Sequence, residues 1–336
     1  MAAHSAREPL LAKEAAPKPQ AASSVVRPAN LECEYWNDEQ WQRLRRKDGV
    51  PETFANSGWT LADLQSSGAK GGSMMAYIAD KYVVKELSAG DHEALLQATS
   101  SLCNHFASGP SILTPIYLHF RIQAVNRTFM VMRNMVGKGP SEALYDLKGC
   151  ADDKSLELQE KKIAVVHKRF HKPHMWCGQC FWSKERVRYF EGKQHARKVT
   201  IQLPERDRNE IVSTIRRDVD FLIEQGVMDY SLLVAVKRKI SSFPLNVKLF
   251  RVLRSDGTVM YLAVAIIDFL QKWTTGKRVA QAIKFLECDK ATIPPQPYGE
   301  RFAKEFEERF VSVSEAAAEK QQTNGNGKSD NTCVLA

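Results

Sequence analysis

Asp229 stands in Met228-Asp229-Tyr230-Ser231-Leu232-Leu233-Val234, an acid and two hydroxyls placed where an apolar segment closes. Two other charged groups keep the same company. Lys148 follows Tyr145-Asp146-Leu147 and precedes Gly149, and Asp268 ends Val264-Ala265-Ile266-Ile267. Charged side chains that abut apolar runs are held at the ends of buried strands or in short loops, where reacting groups are positioned. A carboxylate left bare at the end of a buried strand costs roughly several kcal/mol, so it must be paired, protonated or metal-bound. Magnesium is the economical partner for Asp268. Lys85 ends another apolar stretch, Tyr82-Val83-Val84, and lies behind Gly68-Ala69-Lys70-Gly71-Gly72-Ser73. Glycines let the backbone approach a polyphosphate and aim amides at its oxygens, although a turn of this kind is ordinarily only a turn. Two cations, two acids and a divalent metal together suffice for phosphoryl transfer, which asks mainly for positioning and charge neutralisation.

These residues need a scaffold, and the composition supplies one. With 336 residues, 43% hydrophobic and 26% charged, the chain can bury one large core or two lobes. Residues 1–33 are rich in Ala, Pro and Ser and bury too little to offset their ordering entropy, which predicts a disordered segment. The polar stretch 316–336 reads as a flexible tail. Between them, Met74 to Ile78 and Tyr82 to Lys85 read as a hairpin turning at Asp80. Ile112 to Val136 reads as strands and Arg206 to Gln225 as an amphipathic helix. Val247 to Leu270 reads as a hairpin around Ser255-Asp256-Gly257 followed by a strand. Helices and strands segregate in order, so the fold class is α+β. Trp36 and Trp41 read as a short docked helix, and His105 and His119 as satisfied core or surface histidines. No run of eighteen apolar residues occurs, the N-terminus lacks a secretory core, and the seven cysteines read as reduced thiols. The expectation is a cytoplasmic protein.

The order and wording of Tyr145-Asp146-Leu147-Lys148-Gly149, Met228-Asp229-Tyr230-Ser231-Leu232-Leu233 and Ile266-Ile267-Asp268 resemble the phosphatidylinositol phosphate kinases, over about residues 58 to 311. The resemblance implies a bilobal kinase-like fold with an antiparallel sheet and packed helices in each lobe. Residues 34–137 would be the N-lobe and 138–315 the C-lobe. It implies ATP and Mg2+, with Lys85 held by Glu93 and presented to the α- and β-phosphates. Gly68, Gly71, Gly72 and Ser73 would cover the nucleotide, and Asn134 would sit in the linker where adenine binds. Asp268 would hold the metal, Asp229 would serve as its partner or as the base, and Lys148 would neutralise the γ-phosphate or headgroup. The chain departs from the family at Cys150, at Ala151-Asp152-Asp153 where a stretch carrying Gly-Arg is usual, and at Ala235-Val236-Lys237 in place of Gly-Ile-His. An arginine missing beside the phosphates costs on the order of a few kcal/mol of transition-state stabilisation. A catalytically silent phosphoinositide-binding scaffold is therefore the alternative.

Which hydroxyl is phosphorylated depends in the family on the activation segment. Ala280 falls where the resemblance gives alanine to enzymes acting on the 5-phosphate, whereas Gln271 and Tyr298-Gly299-Glu300-Arg301-Phe302 look like the 5-kinase branch. The reading is a phosphatidylinositol-4-phosphate 5-kinase, with a phosphatidylinositol-5-phosphate 4-kinase as runner-up. Lys277, Arg278 and Lys284 would lie against an anionic bilayer. Between Lys161 and Lys198 stand eleven Lys and Arg against two Glu, an excess equal to the formal charge of +9 on the whole chain. Aromatic residues interleave with these cations, which suits a phosphoinositide-containing membrane surface better than nucleic acid. His167, His171, His174, Cys177 and Cys180 could hold zinc, but only one C-x-x-C pair is present, and reduced packing cysteines are the plainer reading. Cys333-Val334-Leu335-Ala336 reads as a C-a-a-X farnesylation signal at Cys333. The expected location is peripheral, on the cytosolic face of a membrane; a homodimer is compatible with this reading.

Overall fold

Alternating apolar and polar residues make half-buried strands, and the chain uses such runs for three sheets. The computed structural model describes residues 25–66, 73–166, 182–244, 246–253, 258–274, 292–312 and 334–335. In the first sheet are β1 (Cys33–Tyr35), β2 (Gln65–Ser66), β3 (Met74–Ile78), β4 (Tyr82–Glu86), β5 (Ile116–Ile122) and β6 (Arg127–Arg133), ordered β1-β5-β6-β4-β3-β2. α1 (Asp38–Lys47) and α2 (Ala89–Ser108) lie between these strands in sequence. The second sheet contains β7 (Ala143–Leu147), β8 (Lys154–Leu158), β9 (Lys161–Lys162), β11 (Ser231–Lys237), β12 (Phe250–Leu253) and β13 (Val259–Ile267), ordered β12-β13-β11-β7-β8-β9. Every pairing in these two sheets is antiparallel. A small parallel sheet joins β10 (Thr200–Leu203) to β14 (Phe310–Ser312) and β15 (Val334–Leu335). α3 (Lys184–Arg197), α4 (Glu205–Glu224) and α5 (Pro295–Arg309) complete the described elements.

Local chemistry accounts for the helix starts. Ser88 caps α2 by accepting from Asp91 N at 3.1 Å, and Ser183 caps α3 by accepting from Arg186 N. One contiguous hydrophobic core runs through both large sheets, taking Tyr117, Leu118 and Val131 from the first and Leu147, Leu232 and Val264 from the second. Direct bonds tie the halves together. Thr114 N donates to Ile266 O at 3.0 Å, Ile266 N donates to Ile112 O at 2.7 Å, and His105 Nε2 of α2 lies 2.6 Å from Asp218 Oδ1 of α4. Cys33, Cys103 and Cys150 are free thiols, and burial pushes them up to about 12, about 11 and about 11, so they remain protonated.

Three expectations need correction. The loose N-terminal segment does not extend over residues 25–33, because Val26 is fully buried, its carbonyl accepts from Tyr35 Oη at 2.7 Å, and Cys33 opens β1. The hairpin of β12 and β13 is not followed by a further strand, since β13 is itself the long strand that ends before Asp268. Within the tail, Val334–Leu335 pairs with Thr200 and Ile201 of β10. The remaining residues of both termini, and His167, His171, His174, Cys177 and Cys180, lie outside the described residues. No described helix is long and apolar enough to cross a membrane.

The turn after β7 is ordered by a buried charge pair. Asp153, fully buried, accepts from Lys148 N at 2.6 Å and Cys150 N at 3.3 Å, and Arg309 Nη2 of α5 meets its other oxygen at 2.7 Å. Burial pushes its carboxyl up even so. Replacing Asp153 with Asn leaves the buried Arg309 with the partly exposed Glu305 as its remaining counter-charge and should cost about 3 kcal/mol in urea unfolding; an unchanged midpoint would remove this tether from the fold.

His119, fully buried on β5, places Nε2 2.8 Å from His92 Nδ1, with the Trp36 ring 4.6 Å from His92 and 4.8 Å from His119. Burial, with His92 adding to it, pushes His119 down to about 3 from 6.5, and burial with Arg121 lowers His92 against the opposing pull of Glu93. The folded ring therefore stays neutral where the unfolded one takes up a proton, so stability falls as pH drops below 6.5. Between about pH 7 and about pH 5 the His119 contribution is a loss of about 2 kcal/mol. Urea titrations should show it, and His119→Asn should flatten the slope.

Candidate active site

A strand that ends in a charged residue delivers that residue to the rim of its sheet, and four such rims meet. β4 carries Lys85 on the face that also presents Met75 of β3 and Met130 of β6, its direct cross-strand partners. β13 delivers Asp268, β7 delivers Lys148, and Asp229 leads into β11. Lys85 Nζ lies 2.5 Å from Asp268 Oδ1, although 183 residues separate them in sequence. Lys148 Nζ lies 2.5 Å from Asp229 Oδ1 and also donates to the Asp229 carbonyl. The register explains the gathering. β11 runs between β7 and β13, with Leu232 opposite both Leu147 and Ile266, so the ends of the three strands coincide.

Both acids have left-handed backbones, φ 67° at Asp229 and 58° at Asp268. Such conformations cost on the order of 1 kcal/mol or more in a non-glycine residue and persist where the surroundings enforce them. Here Met228 N donates to Gln271 O at 3.0 Å, and Tyr298 Oη donates to Tyr230 O. Burial pushes the Asp268 carboxyl up, but Lys85, with Lys148 and Lys154 behind it, outweighs burial and leaves the carboxyl below its ordinary value. Asp268 is thus ionised, the form a hard divalent cation takes. Lys85 and Asp268 retain 30% and 47% of their side-chain exposure, so water screens the pair. It contributes at most about 1 kcal/mol and yields to a more highly charged ligand.

Two carboxylates in one charge cluster fit magnesium, which takes one or two of them and fills its shell with water and phosphate oxygens. Among the described residues no three His, Cys, Asp or Glu form a closed metal cage.

The structure adds a third cation that sequence reading passed over. Lys154 on β8 stands opposite Asp146 on β7, with Nζ 2.7 Å from Asp146 Oδ2. Burial pulls its ammonium down, but Asp146, Tyr189 and Asp268 outweigh that and hold it above the ordinary lysine value. Its signal was the strand register alone, since Lys154 lies beyond the turn at Ala151-Asp152-Asp153, which the sequence marks only as a departure. Asp153 was missed for the same reason.

Other sequence-derived candidates are placed differently. Glu93 is not the partner of Lys85; it is exposed and accepts from Gln97 Nε2 one turn along α2. The carboxylate Lys85 meets is that of Asp268, because the register of β4 points the lysine across to the end of β13. Asn134 spends its side chain on the backbone: Nδ2 donates to Asp80 O at 2.8 Å and Gly137 O at 3.3 Å, and Oδ1 accepts from Val136 N and Gly137 N. It straps the β3–β4 turn to the linker after β6. Lys237, buried where the family pattern has histidine, donates to the carbonyls of Lys138 and Gly139 in that linker. Ser73 precedes β3, and Met74 N donates to Glu86 Oε2 at 2.9 Å, which anchors the end of the glycine-rich segment. Gly68, Gly71, Gly72, Lys277, Arg278, Ala280, Lys284 and Cys333 lie outside the described residues.

Residues 56–246 and 248–309 match the family model described as Phosphatidylinositol-4-phosphate 5-Kinase. The chain is similar to the 1-phosphatidylinositol 3-phosphate 5-kinase FAB1 of Saccharomyces cerevisiae, 22% identical over 305 residues, covering 84% of this chain and 12% of that protein. It is also similar to a putative 1-phosphatidylinositol 3-phosphate 5-kinase of Drosophila melanogaster, 24% identical over 269 residues, covering 74% of this chain and 13% of the relative. The chain thus spans about an eighth of the length of either relative. With its family model covering well over half of the residues, the chain belongs to the phosphatidylinositol-4-phosphate 5-kinase family.

Proposed function

We propose that the protein transfers the γ-phosphoryl group of ATP to the 5-hydroxyl of a phosphatidylinositol monophosphate presented at a membrane surface. The observation that carries this reading is the contact of Lys85 with Asp268 beside that of Lys148 with Asp229. Two lysines and two aspartates from distant segments neutralise one another. A triphosphate satisfies the lysines better, and the aspartates it frees are those that would hold magnesium, which supplies charge neutralisation on the transferring group when bound. Lys85 then meets the α- and β-phosphates, and Lys148 meets the γ-phosphate or the headgroup. Asp229 stands next to Lys148, within reach of an attacking hydroxyl as base or metal partner. Lys154, held by Asp146, is the cation placed to meet the monoester phosphate already on the inositol ring.

Phosphatidylinositol 4-phosphate is the acceptor favoured by the family description and by the resemblance of Gln271 and Tyr298-Gly299-Glu300-Arg301-Phe302 to the 5-kinase branch, against Ala280, which favours the 5-phosphate. The names of both relatives favour phosphatidylinositol 3-phosphate instead, and transfer to the 5-hydroxyl is common to the two readings.

Radiolabelled ATP with vesicles carrying the 3-, 4- or 5-monophosphate separately tests the proposal. Labelled bisphosphate from the 3- or 4-monophosphate is the expected product, and label on the 5-monophosphate alone would reverse the regiochemistry. Asp268→Asn should lose about a thousandfold in kcat. Vesicle binding without label on any substrate would make the chain a silent phosphoinositide-binding scaffold. Lys154→Ala should raise KM for lipid about tenfold or more with KM for ATP little changed; equal effects on both would remove it from the lipid side of the site.

A further inference from the structure

Ser231 opens β11 two residues after Asp229, and nothing in the constellation described so far uses its hydroxyl. The residue is 1% exposed, and Oγ has no hydrogen-bond partner among the described residues. A buried hydroxyl in that state is unfavourable, and native structures hold few of them without a ligand, a water or a strained function to account for it.

Strand registers aim this hydroxyl. Ser231 pairs with Ile267, the residue before Asp268. Because Leu232 stands opposite Leu147, one further step along the antiparallel ladder brings Ser231 alongside Lys148. Side chains alternate along a strand, so Ser231 shares its face with Leu233, and Leu233 stands opposite Asp146, which in turn faces Lys154. This face is the more open one near the strand ends: Leu233 and Ile267 are half-buried there, although Ala265, Ala235 and Ala263 on the same face are buried, whereas Leu232 and Val234 on the other face are fully buried. Tyr230 provides the contrast. Its hydroxyl is also buried without a partner, but it projects to the opposite face, where its ring packs against Tyr298 and Phe302. Asp146 Oδ1 is a second orphaned oxygen on the open face. An orphaned donor therefore lies in the row that runs from Lys148 to Ile267, the residue before Asp268. In a neighbourhood whose cations are Lys85, Lys148 and Lys154, the arriving ligand is an anion, and a hydroxyl meets an anion by donating.

We propose that Ser231 is a further substrate-binding residue whose Oγ–H donates to an oxygen of the terminal phosphate of the bound nucleotide. The proposal rests on the kinase reading above. It accounts for a polar side chain at a strand position that stands between Lys148 and Ile267 and is followed by Leu232, Leu233 and Val234.

The test uses the full chain with MgATP as the probe, read by calorimetry without lipid, by urea unfolding, and by kcat and KM on monophosphate vesicles. Ser231→Ala removes an unsatisfied group, so its unfolding midpoint should hold or rise. Its MgATP affinity should fall about tenfold and its kcat by about as much, with KM for lipid unchanged, and Ser231→Thr should regain part of the loss. An alanine variant that binds MgATP and turns over like the native chain overturns the proposal alone, as does one that loses stability with nucleotide affinity intact. A native chain that binds no MgATP overturns the kinase reading together with it.

Discussion

The contact of Lys85 with Asp268 is the constraint around which the molecule is arranged. It joins the first large sheet to the second across a separation of 183 residues in sequence. Its own contribution to stability is small, because both side chains remain partly hydrated. The geometry is instead paid for by the buried rows on either side. Val84 and Val131 are sealed behind Lys85, Ala265 and Ile266 are sealed before Asp268, and the backbone bonds between Ile112, Thr114 and Ile266 lock the two sheets together. A weak polar contact held by a strong apolar frame is suited to a site whose ligand must displace it.

The same logic extends to the neighbours of that pair. Asp229 and Asp268 both carry left-handed backbones, and each is flanked by residues whose backbone groups are held elsewhere in the structure. Lys148 is fixed through its amide by Asp153, and Asp153 by Arg309 at the end of α5. The turn that departs most from the family pattern is thus tethered to the C-terminal helix, and it hands Lys154 to the strand opposite Asp146. Lysines and aspartates alternate around the strand ends, which keeps the ligand-free cluster close to neutral.

Much of the scaffold was legible from spacing. The hairpin of β3 and β4, the strands within Ile112 to Val136, the helix that became α4 and the long strand before Asp268 were all legible because their apolar periods are clear and their boundaries carry turn residues. That Lys85 pairs with Asp268 and not with Glu93 was not legible, because a separation of eight residues says nothing about which side of a strand a lysine leaves; cross-strand register does. Asn134 follows β6, as its strand pattern suggested, but its side chain is occupied with backbone groups that only the folded turn brings within reach. Residues 25–33 read as loose from composition, yet Val26 finds a fully buried site against Tyr35.

The sequence by itself determined the chemistry available: which acids and cations end apolar runs, where glycine-rich backbone could approach a polyphosphate, and that no run of eighteen apolar residues occurs. It could do so because charge next to a buried strand is a one-dimensional signal. The tertiary structure alone decided which charges meet, since Lys85 reaches Asp268 only where the two large sheets are joined through Ile112, Thr114 and Ile266. It decided also that Lys154 joins them and that the Ser231 hydroxyl lies on the open face. Partners and faces are set by strand register, a shift of one residue reverses every side chain, and nothing local in the chain records that choice.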